Sequence, residues 1–329
     1  MVAQKVFRNH PVNLLIASLF ILAFAAFEFW DHYIPPAVWN RNKSEISRIK
    51  VDSTDFYFAV FGDHKGHDAC FEPLLRDLGH DKQIGFAIEL GDLLRQGRRW
   101  FYRRCLNQIE KNLSVPFLAV IGNNDLYRGS ANYREIFGPT YYSFEIGRNY
   151  FIILDTSARF QFDKAERQWV ETELQRSQAS KVRLVFMHVP PFDPRGPGFV
   201  KCLSERDGKD LLDLFRRYHV THLFGAHIHG YFSGLKEGVP YTITGGAGGG
   251  LHGKDPNHFF HHYIKVHVSG DDVEIEVKRI DRAARITDLF SFMKDYGPEW
   301  GLFAGLLISL LTLGYSIAID CRKGEGKPI

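Results

Sequence analysis

Residues 56–65 read Phe-Tyr-Phe-Ala-Val-Phe-Gly-Asp-His-Lys, and this stretch decides how the rest of the chain is read. Its first six residues are aromatic, β-branched or small, the composition of a strand buried on both faces. The apolar run stops at Gly62, and a carboxylate, Asp63, follows at once. The same arrangement recurs along the chain. Gly91-Asp92 follows the apolar run 86–90, and Gly122-Asn123-Asn124-Asp125 follows 116–121. Met187-His188 closes the run 183–187, and Ala226-His227-Ile228-His229 follows 221–225. Ligands of open α/β folds bind outside the carboxyl ends of the strands. Polar stretches at five such ends are therefore predicted to meet in one pocket.

The intervening sequence agrees. Helical patterns occupy 69–78, 98–111, 164–177 and 208–218, and the strands 141–145 and 150–154 form a hairpin around Gly147-Arg148-Asn149. After His229 only strands are predicted, at 231–235, 241–244, 262–268 and 273–279. Strands alternating with helices, then a run of strands, predict an α/β sandwich with mixed sheets over residues 55–280. No internal repeat or low-complexity tract interrupts it.

Outside this region lie two apolar segments. Pro11 to Trp30 carries no charge before Glu28, and Trp300 to Asp320 none before its last residue. Each approaches the roughly 20 residues that cross a hydrocarbon core of ~30 Å. Trp30 and Trp300 stand at the inner segment ends, as interfacial anchors do. A cleaved leader is the alternative for the first segment, but Phe27-Glu28-Phe29-Trp30 is no cleavage site. The expected organisation is a tail and first span at 1–31, a linker at 32–54, the domain at 55–280, an amphipathic helix at 281–299, a second span at 300–320 and a tail at 321–329. The amphipathic helix either lies on the membrane surface or packs on the domain. Lys5, Arg8, Arg322, Lys323 and Lys327 place both tails in the cytoplasm, and the domain on the periplasmic or outer side of the cell membrane.

Composition excludes several classes. A net charge of +3 over 329 residues is too small to suggest a nucleic-acid partner. Cys70, Cys105, Cys202 and Cys321 show no CxxC spacing, which argues against a zinc ribbon or a thioredoxin-type site. Cys321 borders the second apolar segment, and the disulfide status of the other three is left open.

The donors at the strand ends are carboxylate, amide oxygen and imidazole, the usual ligands of hard and borderline divalent metals. Five such stretches, in this order and on this strand pattern, resemble the calcineurin-like metallophosphoesterase superfamily over about residues 55–280. The resemblance implies a four-layer α/β/β/α sandwich with mixed sheets, here flanked by N- and C-terminal transmembrane helices. It implies one metal held by Asp92, Asn123, His188 and His227, and another held by Asp63, Asp92 and His229. It also implies manganese, iron or zinc as the cofactor. Paired cations clamp a phosphate and lower the pKa of a water toward ~7.

Two positions depart from the family pattern. Lys65 stands where the first motif has a metal-binding His, and Asn124 stands where the third has the His that contacts the phosphate. An ammonium ligates no metal, so one tight and one weaker site are expected. An amide donates a hydrogen bond but shuttles no proton. Lys65 and Asn124 are the candidate catalytic and substrate-holding residues, and His64 is a further candidate for substrate contact. The Gly245–Gly250 run is either a backbone cradle or a flexible loop, and His258, His261, His262 and Arg195 are weaker candidates. The reading is a membrane-anchored phosphoesterase, with a phosphorylated small molecule or a lipid-linked phosphate as substrate and the bilayer as a further partner. The alternative is a non-catalytic metal- or phosphate-binding module of the same fold. Oligomeric state is not legible.

Overall fold

The computed structural model describes residues 11–33, 40–157, 162–196, 198–281, 283 and 286–325. The chain divides into two units, residues 36–291 and a second unit of 1–35 with 292–329.

In the larger unit, β1 (Asp55–Phe61), β2 (Ile84–Glu89) and β3 (Phe117–Ala119) run parallel. With β10 (His262–Ser269) and β11 (Asp272–Arg279) they form a five-stranded sheet of order β11-β10-β1-β2-β3. The second sheet holds β4 (Tyr142–Ile146), β5 (Asn149–Ile153), β6 (Val182–Phe186), β7 (His222–Gly225), β8 (Tyr231–Lys236) and β9 (Val239–Thr244), in the order β4-β5-β6-β7-β9-β8. Both sheets mix parallel and antiparallel pairs, as the alternating and then strand-only sequence predicts. The predicted strand positions fall within two residues of those observed.

Phenylalanine fills the space between the sheets. Phe58 stacks on Phe86 at 4.9 Å in the first sheet, and Phe186 on Phe224 at 5.0 Å in the second. Phe58 meets Phe151 edge-on at 5.8 Å across the gap. All five rings are fully buried. Aromatic pairs in these geometries add about 0.5–1.5 kcal/mol each beyond the area they bury. Helices cover the outer faces: Phe71 of the helix Asp68–His80 packs on Phe61 of β1. The helices Lys164–Arg176 and Glu205–Arg217 bury Val170, Leu174, Leu211 and Phe215 against β5–β7.

The expected linker is in part structural. Arg41–Arg48 is a helix, and its Asn42 side chain pairs with the Ala119 backbone, donating to the carbonyl at 3.1 Å and accepting from the N–H at 3.0 Å. The amphipathic segment opens the long helix Ile286–Glu325, whose first turns dock on the domain. Asp288 accepts from the Ala69 N–H at 3.2 Å, and the Ser291 hydroxyl donates to the Gly66 carbonyl.

In the smaller unit, the ring of Phe20, in the helix Pro11–Tyr33, lies over Gly305. The two-span expectation is not met. Among the described residues, no single helix is long and apolar enough to cross a membrane. The apolar stretch of the first helix is Leu15–Phe27, and only the bent pair Thr287–Gly297 and Trp300–Tyr315 passes together. Pro298 lies in the break of that pair, and a proline within a helix removes a backbone hydrogen bond and kinks it.

Candidate metal centre

The polar stretches gather at the carboxyl ends of β1, β2 and β3 in one sheet and of β6 and β7 in the other. The backbone there is forced into unusual geometry. Asp63, Lys65, Asp92 and His227 have φ of 64°, 50°, 58° and 66°, four of the eight non-glycine residues with positive φ among those described. Such backbone costs about 1–3 kcal/mol per residue and persists where surrounding contacts over-determine it. Those contacts are present. The Asp63 N–H donates to the Gly91 carbonyl at 3.0 Å, and the Lys65 N–H to the Asp92 carbonyl at 2.9 Å. Asp125 lies fully buried beneath, its carboxylate accepting from the N–H groups of Asp92, Leu94 and Gly122 at 2.8, 3.2 and 2.8 Å. Burial, and then Asp92, push the Asp125 carboxyl well above its ordinary range.

Two clusters of ligand atoms result. Asp92, His188 and His227 form one, and Asp63, Asp92 and His229 the other, with Asp92 common to both. Asn123 joins the first, its Oδ1 3.1 Å from His188 Nε2. Each cluster has an imidazole whose tautomer is set from behind. His188 Nδ1 donates to the Leu90 carbonyl at 2.8 Å, and His229 Nδ1 to the Gly250 carbonyl at 2.5 Å. In the neutral rings both Nε2 atoms therefore present lone pairs to the centre. His188 Nε2 faces Asp92 Oδ1 at 3.4 Å, and His229 Nε2 faces Asp63 Oδ1 at 3.2 Å. Asp63 Oδ1 and His229 Nε2 are buried without a hydrogen-bond partner.

Lone pairs facing each other in a buried site are costly unless a cation or a proton lies between them. The residues present therefore fit a pair of divalent cations, which Asp92, His188, His227 and Asn123 on one side and Asp63, Asp92 and His229 on the other would hold. Charges order the site as well. Where a proton rather than a cation lies between the facing lone pairs, burial alone raises the Asp63 carboxyl, but a charged His229, with His188 and Lys65, overrides it and holds the group well below the carboxylate range. Burial, and then His188, lower the His227 imidazole to about 3.

The two departures lie in the centre. Lys65 Nζ is 3.0 Å from Asp92 Oδ2. Asn124 grips the same carboxylate, its N–H donating to Oδ1 at 2.7 Å and its amide to Oδ2 at 2.9 Å. His64 is a correction to the sequence reading. It is fully buried, stacked on Phe71 at 3.7 Å, with Nδ1 accepting from the Gly66 N–H at 3.1 Å. The left-handed turn at Asp63 and Lys65 sends neighbouring side chains to opposite sides, so His64 faces the helix layer and has no access to a substrate. His67 is also directed elsewhere, 3.3 Å from Arg95 and 3.5 Å from Asp288.

The glycine run resolves as a close approach. A Cβ at Gly245 would lie 2.6 Å from Asp63 Oδ2, and one at Gly249 would lie 2.7 Å from His229 Cε1. The run wraps the back of the second cluster, with the Gly249 N–H donating to the Asp63 carbonyl at 2.7 Å. Of the weaker candidates, His262 is buried with Nδ1 donating to the Phe260 carbonyl at 2.9 Å, and His261 Nδ1 donates to Gly246 O at 3.1 Å. His258 Nδ1 donates to the Tyr231 carbonyl at 2.9 Å, and Arg195 is paired with Asp193 at 2.7 Å. Sequence reading missed Asp125, Lys201 and His252. Asp125 follows the Gly-Asn-Asn motif directly and was open to notice; the other two have no local pattern to mark them. Cys70, Cys105 and Cys202 are free thiols.

Known proteins share this architecture. A purple acid phosphatase from yellow lupin seeds superposes with a TM-score of 0.53 at 16% identity, over 72% of this chain and 55% of the lupin chain. This chain thus spans only about half of that phosphatase. GAP50 of Plasmodium, the anchor in the inner membrane complex, gives 0.53 at 13% identity, over 74% of this chain and 95% of its own. PhoD gives 0.51 at 10% identity, over 75% and 77%. At such identities the likeness is one of fold. Among curated proteins no relative matches. The family model for calcineurin-like phosphoesterases matches residues 56–231, more than half of the chain and all five ligand-bearing strand ends. With strand order, ligand stretches and paired clusters in agreement, the chain belongs to the calcineurin-like phosphoesterase family.

Proposed function

We propose that this protein is a metal-dependent phosphoesterase. The observation that carries the reading is the pair of acceptor clusters sharing Asp92, with Asp63 Oδ1 and His229 Nε2 facing each other unsatisfied. Divalent cations held there, manganese, iron or zinc by donor type, polarise a phosphoester and lower the pKa of water. The chain's own residues do the rest. His188 and His229 are oriented by backbone carbonyls, Asp92 stands between the clusters, and Asn124 and Lys65 place N–H donors at its outer oxygen. Both donors are suited to hold phosphate oxygens. Neither supplies a proton as a histidine does, so esters with good leaving groups are the favoured substrates.

Lys65 makes the two positions unequal. Its ammonium adds charge beside the cluster of Asp63, Asp92 and His229, and repels a cation there. The test is metal titration and turnover of purified protein with Mn²⁺, using aryl phosphates, alkyl phosphates and pyrophosphate. One tight and one weak ion are expected, with turnover of aryl esters abolished by chelator. Lys65→His should tighten the weak ion about tenfold or more, the scale on which a ligand shell governs affinity. Two equally tight ions in the unsubstituted protein, or no metal-dependent turnover of any ester, would refute the reading. The second outcome would favour a binding module. The departures at Lys65 and Asn124 speak for that alternative, as does a neighbour of the same fold described as an anchor.

We also infer association with a bilayer, which makes a lipid-linked phosphate a candidate substrate. The helices of the smaller unit leave Leu15, Leu19, Leu22, Phe303, Leu307 and Leu311 48–64% exposed. Exposed apolar surface of this extent marks a contact with a partner or a membrane. Recovery with membranes and release only by detergent are expected, and recovery without detergent refutes the association; reporter fusions at residue 329 and within 162–180 lie on opposite sides if the bent pair crosses the bilayer and on one side if the helices rest on its surface.

A further inference from the structure

His252 lies beside the centre without belonging to either ligand cluster. Its ring stacks on His229 with centroids 3.9 Å apart, and its Nδ1 accepts from the His229 N–H at 3.1 Å. Because Nδ1 accepts, the neutral ring carries its proton on Nε2. The ammonium of Lys201, from the loop between β6 and the helix Glu205–Arg217, is 3.1 Å from that Nε2. Among the described residues no carboxylate lies within ion-pair distance of Lys201. This half-buried cation has an imidazole beside it and no carboxylate in contact with its ammonium, Asp63 and Asp193 acting on it only from farther away. Burial, and then the neighbouring charges of Lys65 and Arg195, lower its affinity for the proton, and Asp63 and Asp193 offset this only in part.

His252 also borders a cavity of about 470 Å³. Phe199, Phe232, Tyr241 and Phe259 line it. Arg195 lies at its edge with its charge spent on Asp193, through contacts of 2.9 and 2.7 Å, and its guanidinium covers the Phe199 ring at 4.3 Å. The cavity is therefore aromatic rather than cationic, with Asp255 the one carboxylate among its lining residues, and its size is in the range of small-ligand sites, about 300–1,000 Å³. Contacts run from the metal centre through His229 and His252 to Lys201 on one side, and His252 shares the lining of the cavity with the aromatic rings on the other.

We propose that Lys201 is an anion-binding residue beside the metal centre and that the adjoining cavity takes an aromatic group. The preferred ligand then carries a second anionic group next to the phosphate at the metals, followed by an aromatic portion. This rests on the phosphoesterase reading for the position of the first phosphate, and it names the class of substrate that reading leaves open. Lys65 and Asn124 serve the phosphate at the metals, whereas Lys201 serves a second anion. Nothing in the ligand motifs requires a lysine at this place in the chain.

The test separates binding from turnover by using phosphonates, which are not hydrolysed. Full-length, Mn²⁺-loaded protein is titrated calorimetrically with methylphosphonate, methylenebisphosphonate and phenylphosphonate. Methylenebisphosphonate should bind at least about tenfold tighter than methylphosphonate, the scale of one charged hydrogen bond. Lys201→Ala should remove most of that preference and Lys201→Arg should keep it. Phenylphosphonate should bind several-fold tighter than methylphosphonate, and Phe199→Ala should reduce the difference, since Phe199 is 49% exposed and its truncation leaves the fold intact. A bisphosphonate preference unchanged in Lys201→Ala overturns the assignment of Lys201. Equal affinity for phenyl- and methylphosphonate overturns that of the cavity. If no ester is turned over while these preferences hold, the esterase reading fails and the site stands. If esters are turned over without either preference, the site fails and the esterase reading stands.

Discussion

Asp92→Asn is expected to remove both bound cations and to lower phosphoester turnover by more than about a hundredfold, since paired cations supply several kcal/mol of charge stabilisation. Asp92 is the one residue common to the two acceptor clusters, and it is fully buried. The amide keeps its volume but turns one oxygen into a donor. An NH2 in place of Oδ1 would face His188 and one in place of Oδ2 would face Lys65 and Asn124, and in either orientation the negative charge shared by the two clusters is lost. Lys65, 3.0 Å from Asp92 Oδ2, loses its counter-charge in the same step. Metal content by mass spectrometry and the rise of Tm with added Mn²⁺ read the result without reference to activity. A ligand that binds only the folded state raises stability by about 2.7 kcal/mol at a hundred times its Kd, so the unsubstituted protein should gain several degrees and the variant none. An undiminished Tm response in Asp92→Asn would falsify the shared-carboxylate assignment.

Asn124→His is expected to raise turnover of alkyl phosphates by about 10²-fold or more while changing aryl phosphates by less than about tenfold. General acid catalysis contributes ~10²–10⁴-fold, and it matters most where the leaving group is a poor one. Asn124 holds Asp92 through both its backbone N–H and its amide, which places position 124 directly over the centre. An imidazole there retains one N–H donor toward Asp92 and gains a group that protonates near neutral pH. A plot of log kcat against leaving-group pKa should be steep for the unsubstituted protein and shallow for the variant. Equal gains for both ester types would show that position 124 acts only in binding and that another group supplies the proton. Unchanged metal affinity in the variant separates this effect from loss of the grip on Asp92.

The strands and most helices of the larger unit were legible because each buries a regular face, and burial imprints a period of two or 3.6 on the sequence. Phe56–Phe61 and Leu223–Gly225 read as buried strands from local composition alone. Arg41–Arg48 did not, because seven of its eight residues are polar and its place depends on Asn42 pairing with Ala119, 77 residues away. The apolar ends were read as two spans from composition, but a helix that bends where Pro298 interrupts it presents no straight run of sufficient length.

At the site, the sequence by itself determined which donor types stand at the strand ends, their order, and the two departures at Lys65 and Asn124. Each of these is a property of residue identity and of the position where an apolar run stops. The family resemblance already implied that Asp92 is shared by the two clusters, and only the tertiary structure decided that Asp125 braces it from below. Only the tertiary structure placed His64 among the helices and Lys65 in the centre, because left-handed backbone at Asp63 and Lys65 ends the strand there, and beyond a strand's end side-chain direction follows the turn and its packing. The role of Gly245 and Gly249 was likewise invisible along the chain, since what excludes a Cβ there is Asp63 and His229, brought close by the packing of two sheets. Local sequence records which face of an element is buried; which side chains meet across 100 or more residues is decided by how those faces pack.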